Sequence, residues 1–93
     1  MELTGNPPEL RSVYIDPDEM EWCVSDFPGI RHKVLWSDPD SGRSTILFKL
    51  DPGAVVPPHE HTDVEQTLIV SGSFEDHEGK AFPGHYIWRP AGN

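Results

Sequence analysis

Two stretches of the chain alternate between apolar and polar residues with the period of two that a half-buried β-strand requires. In residues 30–36, Ile30, His32, Val34 and Trp36 share one face, and Arg31, Lys33 and Leu35 share the other. In residues 44–50, Ile46, Phe48 and Leu50 lie opposite Thr45, Leu47 and Lys49. The run Ser37-Asp38-Pro39-Asp40-Ser41-Gly42 between them is rich in turn formers, so the two stretches are expected to pair as an antiparallel hairpin. His32 falls on the more apolar face, where a hydrogen-bonded structural histidine is expected. Further strands are expected over 64–70 and 86–89, with a short one over 12–15. Residues 18–24 (DEMEWCV) suit either a helical turn or a strand, with Trp22 as their anchor to the core.

Turns are expected at Phe27-Pro28-Gly29, Asp51-Pro52-Gly53, Asp76 to Gly79 and Pro83-Gly84, and Pro57-Pro58 predicts an edge or bend. No stretch carries the periodicity of a helix three turns long. Short strands about every 8–12 residues, with turn signals between them, predict an all-β sandwich or barrel.

Composition narrows this picture. With 93 residues the chain is expected to form one small domain over 12–93, preceded by a flexible or surface-draped tail over 1–11. Ten prolines and eight glycines weigh against a helical bundle. Sixteen acidic residues against seven basic ones give a formal charge of −9, which repels nucleic acid and anionic lipid and favours solubility. Cys23 is the only cysteine, so the chain has no intrachain disulfide and no thiolate metal cluster, and a partly buried structural thiol is expected. No secretory signal pattern and no apolar run of the ~20 residues that span a bilayer is present, so a soluble cytoplasmic protein is expected.

Candidate chemistry gathers in residues 53–72 (GAVVPPHEHTDVEQTLIVSG). On an extended strand His59 and His61 project from the same face, and Glu65 can return a carboxylate to them after Thr62-Asp63-Val64. Two imidazoles and a carboxylate suit Fe(II), Mn(II), Zn(II), Ni(II) or Co(II), and three protein ligands leave coordination positions open. The simpler reading is an exposed His-Glu-His in an acidic loop. The bracketing Gly53 and Gly72, the Glu65 spacing and the apolar strand that follows favour the metal site. His77 lies in a turn and is expected to be solvated, and Trp88-Arg89 is expected to place a core tryptophan beside a surface arginine. The acidic pairs Glu19/Glu21 and Asp38/Asp40 read as solvated. No nucleophile elbow, phosphate-binding loop or dinucleotide fingerprint is present.

Gly53, five residues, His59-x-His61, three residues, Glu65, six residues and Gly72 resemble the first signature motif of the cupin superfamily without a gap. The resemblance implies a cupin-type β-barrel, or jelly roll, with His59, His61 and Glu65 as metal ligands. Phe82 to Asn93 resembles the opening of the second cupin motif, with His85 where the family commonly has an aspartate. The family's fourth ligand, a histidine, and the last barrel strands are expected beyond Asn93, and His85 is expected to face outward. Residues ~20 to 92 resemble, through Trp22, Pro28-Gly29, Val34-Leu35 with Asp38, Leu47 to Gly53 and Arg89 to Gly92, the group holding small β-diketone and hydroxyacetophenone dioxygenases. The cupin domain of certain anti-sigma factors falls in the same group.

That resemblance implies a non-haem Fe(II)-dependent dioxygenase cleaving a carbon–carbon bond in a small diketone or hydroxyaryl ketone. Glu65 would ligate directly or orient a ligand, and residues such as Phe48 or Ile69 would wall the substrate site; no catalytic residue beyond the ligands is identified. The alternatives are a metal-binding sensor or regulatory module, or a small-molecule binder in which the metal is a clamp. A homodimer is expected by analogy, with the 12–15 strand exchanged between subunits.

Overall fold

In the computed structural model the described residues are 7–57, 59 and 61–93; residues 1–6, Pro58 and Glu60, with the expectations that fall on them, lie outside. The chain divides into two compact units, Met1–Val56 and Pro57–Asn93. Among the described residues every regular element is a strand or a single 3-10 turn, and every strand pairing is antiparallel.

In the first unit, β1 (Cys23–Val24), β2 (Ile30–Ser37) and β3 (Ser44–Leu50) form a sheet in that order. The β2–β3 hairpin follows the predicted alternation from Ile30↔Leu50 to Val34↔Ile46, and then its register shifts between Val34 and Trp36. Leu35 is the extra residue of a bulge, and Trp36 comes to lie opposite Thr45. Directly opposed residues share a sheet face, so the bulge moves Trp36 to the side of Thr45, away from Val34 and Ile46. The expected single apolar face of β2 is therefore broken at its C-terminal end.

Ile30 is buried at 4% exposure, and Lys33, expected on the opposite face, is buried as well at 6%. The Lys33 ammonium donates to the Pro17 carbonyl at 2.6 Å and stands 4.5 Å above the Trp22 ring, which keeps its charge satisfied while its stem is covered. Residues 18–24 resolve their ambiguity by being both things in series. A 3-10 turn, Pro17–Glu19, opens with Asp16 accepting from the Asp18 N–H at 3.0 Å, and β1 follows. His32 is half-buried against its cross-strand partner Phe48, with ring centroids 6.3 Å apart.

Two expectations fail here. Residues 12–15 form no strand and pair with neither open edge of the sheet, and Tyr14 is 93% exposed. Cys23 is exposed: it sits on the two-residue edge strand β1, which has a neighbour on one side only. In the predicted tail, Pro8–Leu10 forms a short exposed 3-10 turn.

In the second unit, β4 (Glu65–Leu68) pairs with β7 (Tyr86–Arg89), and β5 (Phe74–Glu75) pairs with β6 (Lys80–Ala81). One face of β4–β7 carries Glu65, Thr67, Ile87 and Arg89, all half-buried; the other carries Gln66, Leu68, Tyr86 and Trp88, all exposed. The expected arrangement of Trp88 and Arg89 is thus reversed. Trp88 is 56% exposed, whereas the Arg89 side chain is 11% exposed. β4 is shorter than the expected 64–70, although Ile69 continues the pairing through its N–H to the His85 carbonyl at 2.9 Å.

The two glycines that bracket the candidate site both adopt left-handed backbone, Gly53 at φ +82° and Gly72 at φ +69°. Side chains disfavour that region, which explains why the motif uses glycine at its ends. No helix among the described residues is long and apolar enough to cross a membrane.

Candidate metal centre

His59, His61 and Glu65 lie in the second unit, and each offers one ligand atom such that these atoms all fall within 4.8 Å of one another. The histidines do not converge by sharing a strand face, since neither lies in a strand. Each ring is instead held by a backbone carbonyl. His59 Nδ1 is 2.9 Å from the Pro57 oxygen, and His61 Nδ1 is 3.0 Å from the Asn93 oxygen. A carbonyl oxygen can only accept, so both Nδ1 atoms carry their proton and donate. That leaves Nε2 as the nitrogen each ring could offer to a metal, the arrangement typical of metal-bound histidine. The rings stand 4.6 Å apart between centroids, tilted by 60°.

The backbone of His61 is fixed as well. Its N–H donates to the Asn93 oxygen at 2.7 Å, and its carbonyl accepts from the Gly92 N–H at 2.6 Å. Glu65 opens β4, and its two oxygens face different ways. Oε2 lies 2.6 Å from His61 Nε2, while Oε1 accepts from the Thr67 hydroxyl at 3.2 Å and lies 3.8 Å from Arg89 Nε.

These residues fit a divalent ion. Two ligands bound at about 2.1 Å each stand ~3 Å apart at right angles and ~4.2 Å apart across the ion. The His61–Glu65 contact would have to open by about 0.4 Å, and the widest separation, up to 4.8 Å, to close by about 0.6 Å if those two ligands lie across the ion or about 1.8 Å if they stand at right angles.

Arg89 sits behind Glu65 and was not legible as part of the site. Besides Glu65, it contacts Asp76 at 2.5 Å and Glu78 at 3.4 Å. Asp76 also accepts from the backbone N–H groups of Glu78 and Gly79 at 2.9 and 3.1 Å, and Glu78 accepts from the Asn93 side chain at 3.0 Å. The hydrogen bond from Arg89, and after it the Glu78 N–H, hold the Asp76 carboxyl below its ordinary value. The signal that could have found Arg89 is strand alternation. If Ile87 faces inward on β7, so does Arg89, two residues on.

The other histidines are not brought to the site. His85 is exposed, its Nδ1 accepting from the Phe82 N–H at 3.1 Å, and His77 is exposed beside Glu78. Of the two residues expected to wall a substrate site, Ile69 is half-buried and follows β4, while Phe48 belongs to the first unit and is exposed.

The family model described as the ChrR cupin-like domain matches residues 10–93. No curated protein and no solved structure matches the chain.

Proposed function

The chain belongs to the ChrR cupin-like domain family, and from that premise we propose that it binds a divalent metal ion through His59, His61 and Glu65. We propose further that the ion is Fe(II) and that the protein is a dioxygenase acting on a small diketone or hydroxyaryl ketone, working as a homodimer. The observation that carries the metal reading is the matched pair of Nδ1 contacts, His59 to Pro57 and His61 to Asn93, which leave Nε2 of each ring as the nitrogen open to a metal. Fe(II) bound there would supply open coordination positions for O₂ and for adjacent substrate oxygens.

The chain's own part is to hold the ligands. The carbonyl partners fix the tautomer of each imidazole and raise its basicity. The Thr67 hydroxyl holds Glu65 Oε1, so that Oε2 is the oxygen presented to the histidines.

A second reading, a metal-binding sensor or regulatory module without turnover, draws on the same family match, since anti-sigma-factor cupins fall in the group the sequence resembles. One experiment separates the two. The metal content of protein isolated under reducing conditions is measured, followed by oxygen uptake with β-diketones and hydroxyaryl ketones. Stoichiometric metal that is lost in His59→Ala and His61→Ala supports the site, and oxygen uptake supports the dioxygenase. Metal without uptake selects the sensor, and protein without metal overturns both.

A further inference from the structure

We infer that Arg89 is a positioning residue for this site: it holds Glu65 so that one carboxylate oxygen faces the histidines and the other is kept away from them. The inference rests on the metal reading above. Each nitrogen of the guanidinium addresses a different carboxylate, Nε to Glu65 at 3.8 Å, Nη2 to Asp76 at 2.5 Å and Nη1 to Glu78 at 3.4 Å. The planar fork is hydrogen-bonded to Glu78 and Asp76, which sets the direction in which its Nε faces Glu65, and a lysine ammonium has no such fixed geometry.

Two of those acids are themselves anchored, so Arg89 is held from behind. Asp76 accepts two backbone N–H groups of its own turn, and Glu78 accepts from the Asn93 side chain. Asn93 in turn accepts from His61 Nδ1, and His61 Nε2 meets Glu65 Oε2. The contacts close a ring through His61, Glu65, Arg89, Glu78 and Asn93. Within it Glu65 Oε1 accepts from Thr67 and faces the Arg89 charge at 3.8 Å, and Oε2 is the oxygen turned to His61.

Arg89 therefore acts through Glu65: it fixes a one-oxygen ligand, at the expense of a positive charge placed close to a cation site.

That expense gives a test in which geometry and charge predict opposite signs. Co(II) is titrated into wild-type protein and into Arg89→Gln, Arg89→Lys and Thr67→Val, reading both affinity and the visible ligand-field bands. Removal of a positive charge beside the ion would by Coulomb's law tighten binding. The positioning role predicts the reverse, with Arg89→Gln binding Co(II) ~10–100-fold more weakly, as for other partners of metal ligands. Its bands should change as Glu65 becomes free to turn both oxygens inward.

Arg89→Lys keeps the charge and should shift in the same direction, and it serves if the glutamine variant fails to fold. Thr67→Val, which leaves the guanidinium intact, should shift the same way by less. Unchanged bands in the arginine variants, or binding as tight as wild type, overturn the inference while leaving the metal site standing. A wild-type protein that binds no Co(II) overturns the metal reading and the inference with it.

Discussion

Gly72 closes the candidate motif, and replacing it with alanine isolates the cost of its backbone. Its φ is +69°, and a Cβ built there meets no heavy atom within 4 Å, so the substitution introduces strain without a clash. An L-residue in the left-handed region costs about 1–2 kcal/mol. Alanine also reduces the freedom of the unfolded chain, which returns about 0.4–1 kcal/mol. Gly79 supplies the control, because it too has open space around a built Cβ but no positive φ. Gly79→Ala should therefore show the unfolded-state gain alone.

The difference between the two variants isolates the left-handed cost, ~1–2 kcal/mol, or roughly a 5–30-fold difference in the folding equilibrium. Urea unfolding followed by far-ultraviolet circular dichroism measures it. With a denaturant slope of about 1 kcal/mol/M, the midpoints should separate by ~1–2 M, Gly72→Ala being the lower. Equal midpoints would refute the claim that the motif requires glycine for its backbone.

The remaining predictions concern the site and its surroundings. A four-ligand zinc site contributes about 10–16 kcal/mol, or ~2.5–4 kcal/mol per ligand, so His59→Ala, His61→Ala and Glu65→Gln should each weaken Zn(II) binding roughly 100-fold or more in a chelator competition. Asp76 and Asp38 titrate below 3.8 in the folded chain, chiefly because Arg89 donates to the first and the Ser41 hydroxyl to the second. Their lowered values contribute stability that is present above the ordinary carboxylate range and is lost as pH falls through the folded values. Carboxyl titration by NMR should place both midpoints under 3.8, and Asp76→Asn should flatten the acid limb of the stability curve. Cys23, exposed on β1, should react fully with a thiol reagent without denaturant; a protected thiol would contradict that exposure.

What could be read from the sequence was what local pattern controls. β3 at Ser44–Leu50 and β7 at Tyr86–Arg89 coincide with the expected strands, because alternation in the first and a short β-forming run in the second are each bounded by turn formers. The bulge at Leu35 falls where the alternation fails, in the apolar run Val34-Leu35-Trp36, but that run does not say which residue is the extra one. Lys33 is buried because residues 17–22 fold over it, a tertiary event that side-chain polarity argues against. In the site, the grouping of His59, His61 and Glu65 was legible from spacing, but the reason for their convergence was not. His61 is oriented by Asn93, 32 residues away, and Glu65 by Arg89 on the paired strand. Both depend on pairings that only the folded chain makes.

Whether His59 and His61 present Nε2 to one metal ion is read from ¹⁵N NMR of the imidazoles during titration with Zn(II). At one equivalent the Nε2 resonances of His59 and His61 should shift together while Nδ1 of each stays protonated and His32, His77 and His85 are unmoved. No shift at one equivalent, or a shift at Nδ1, at His77 or at His85 instead, would contradict it.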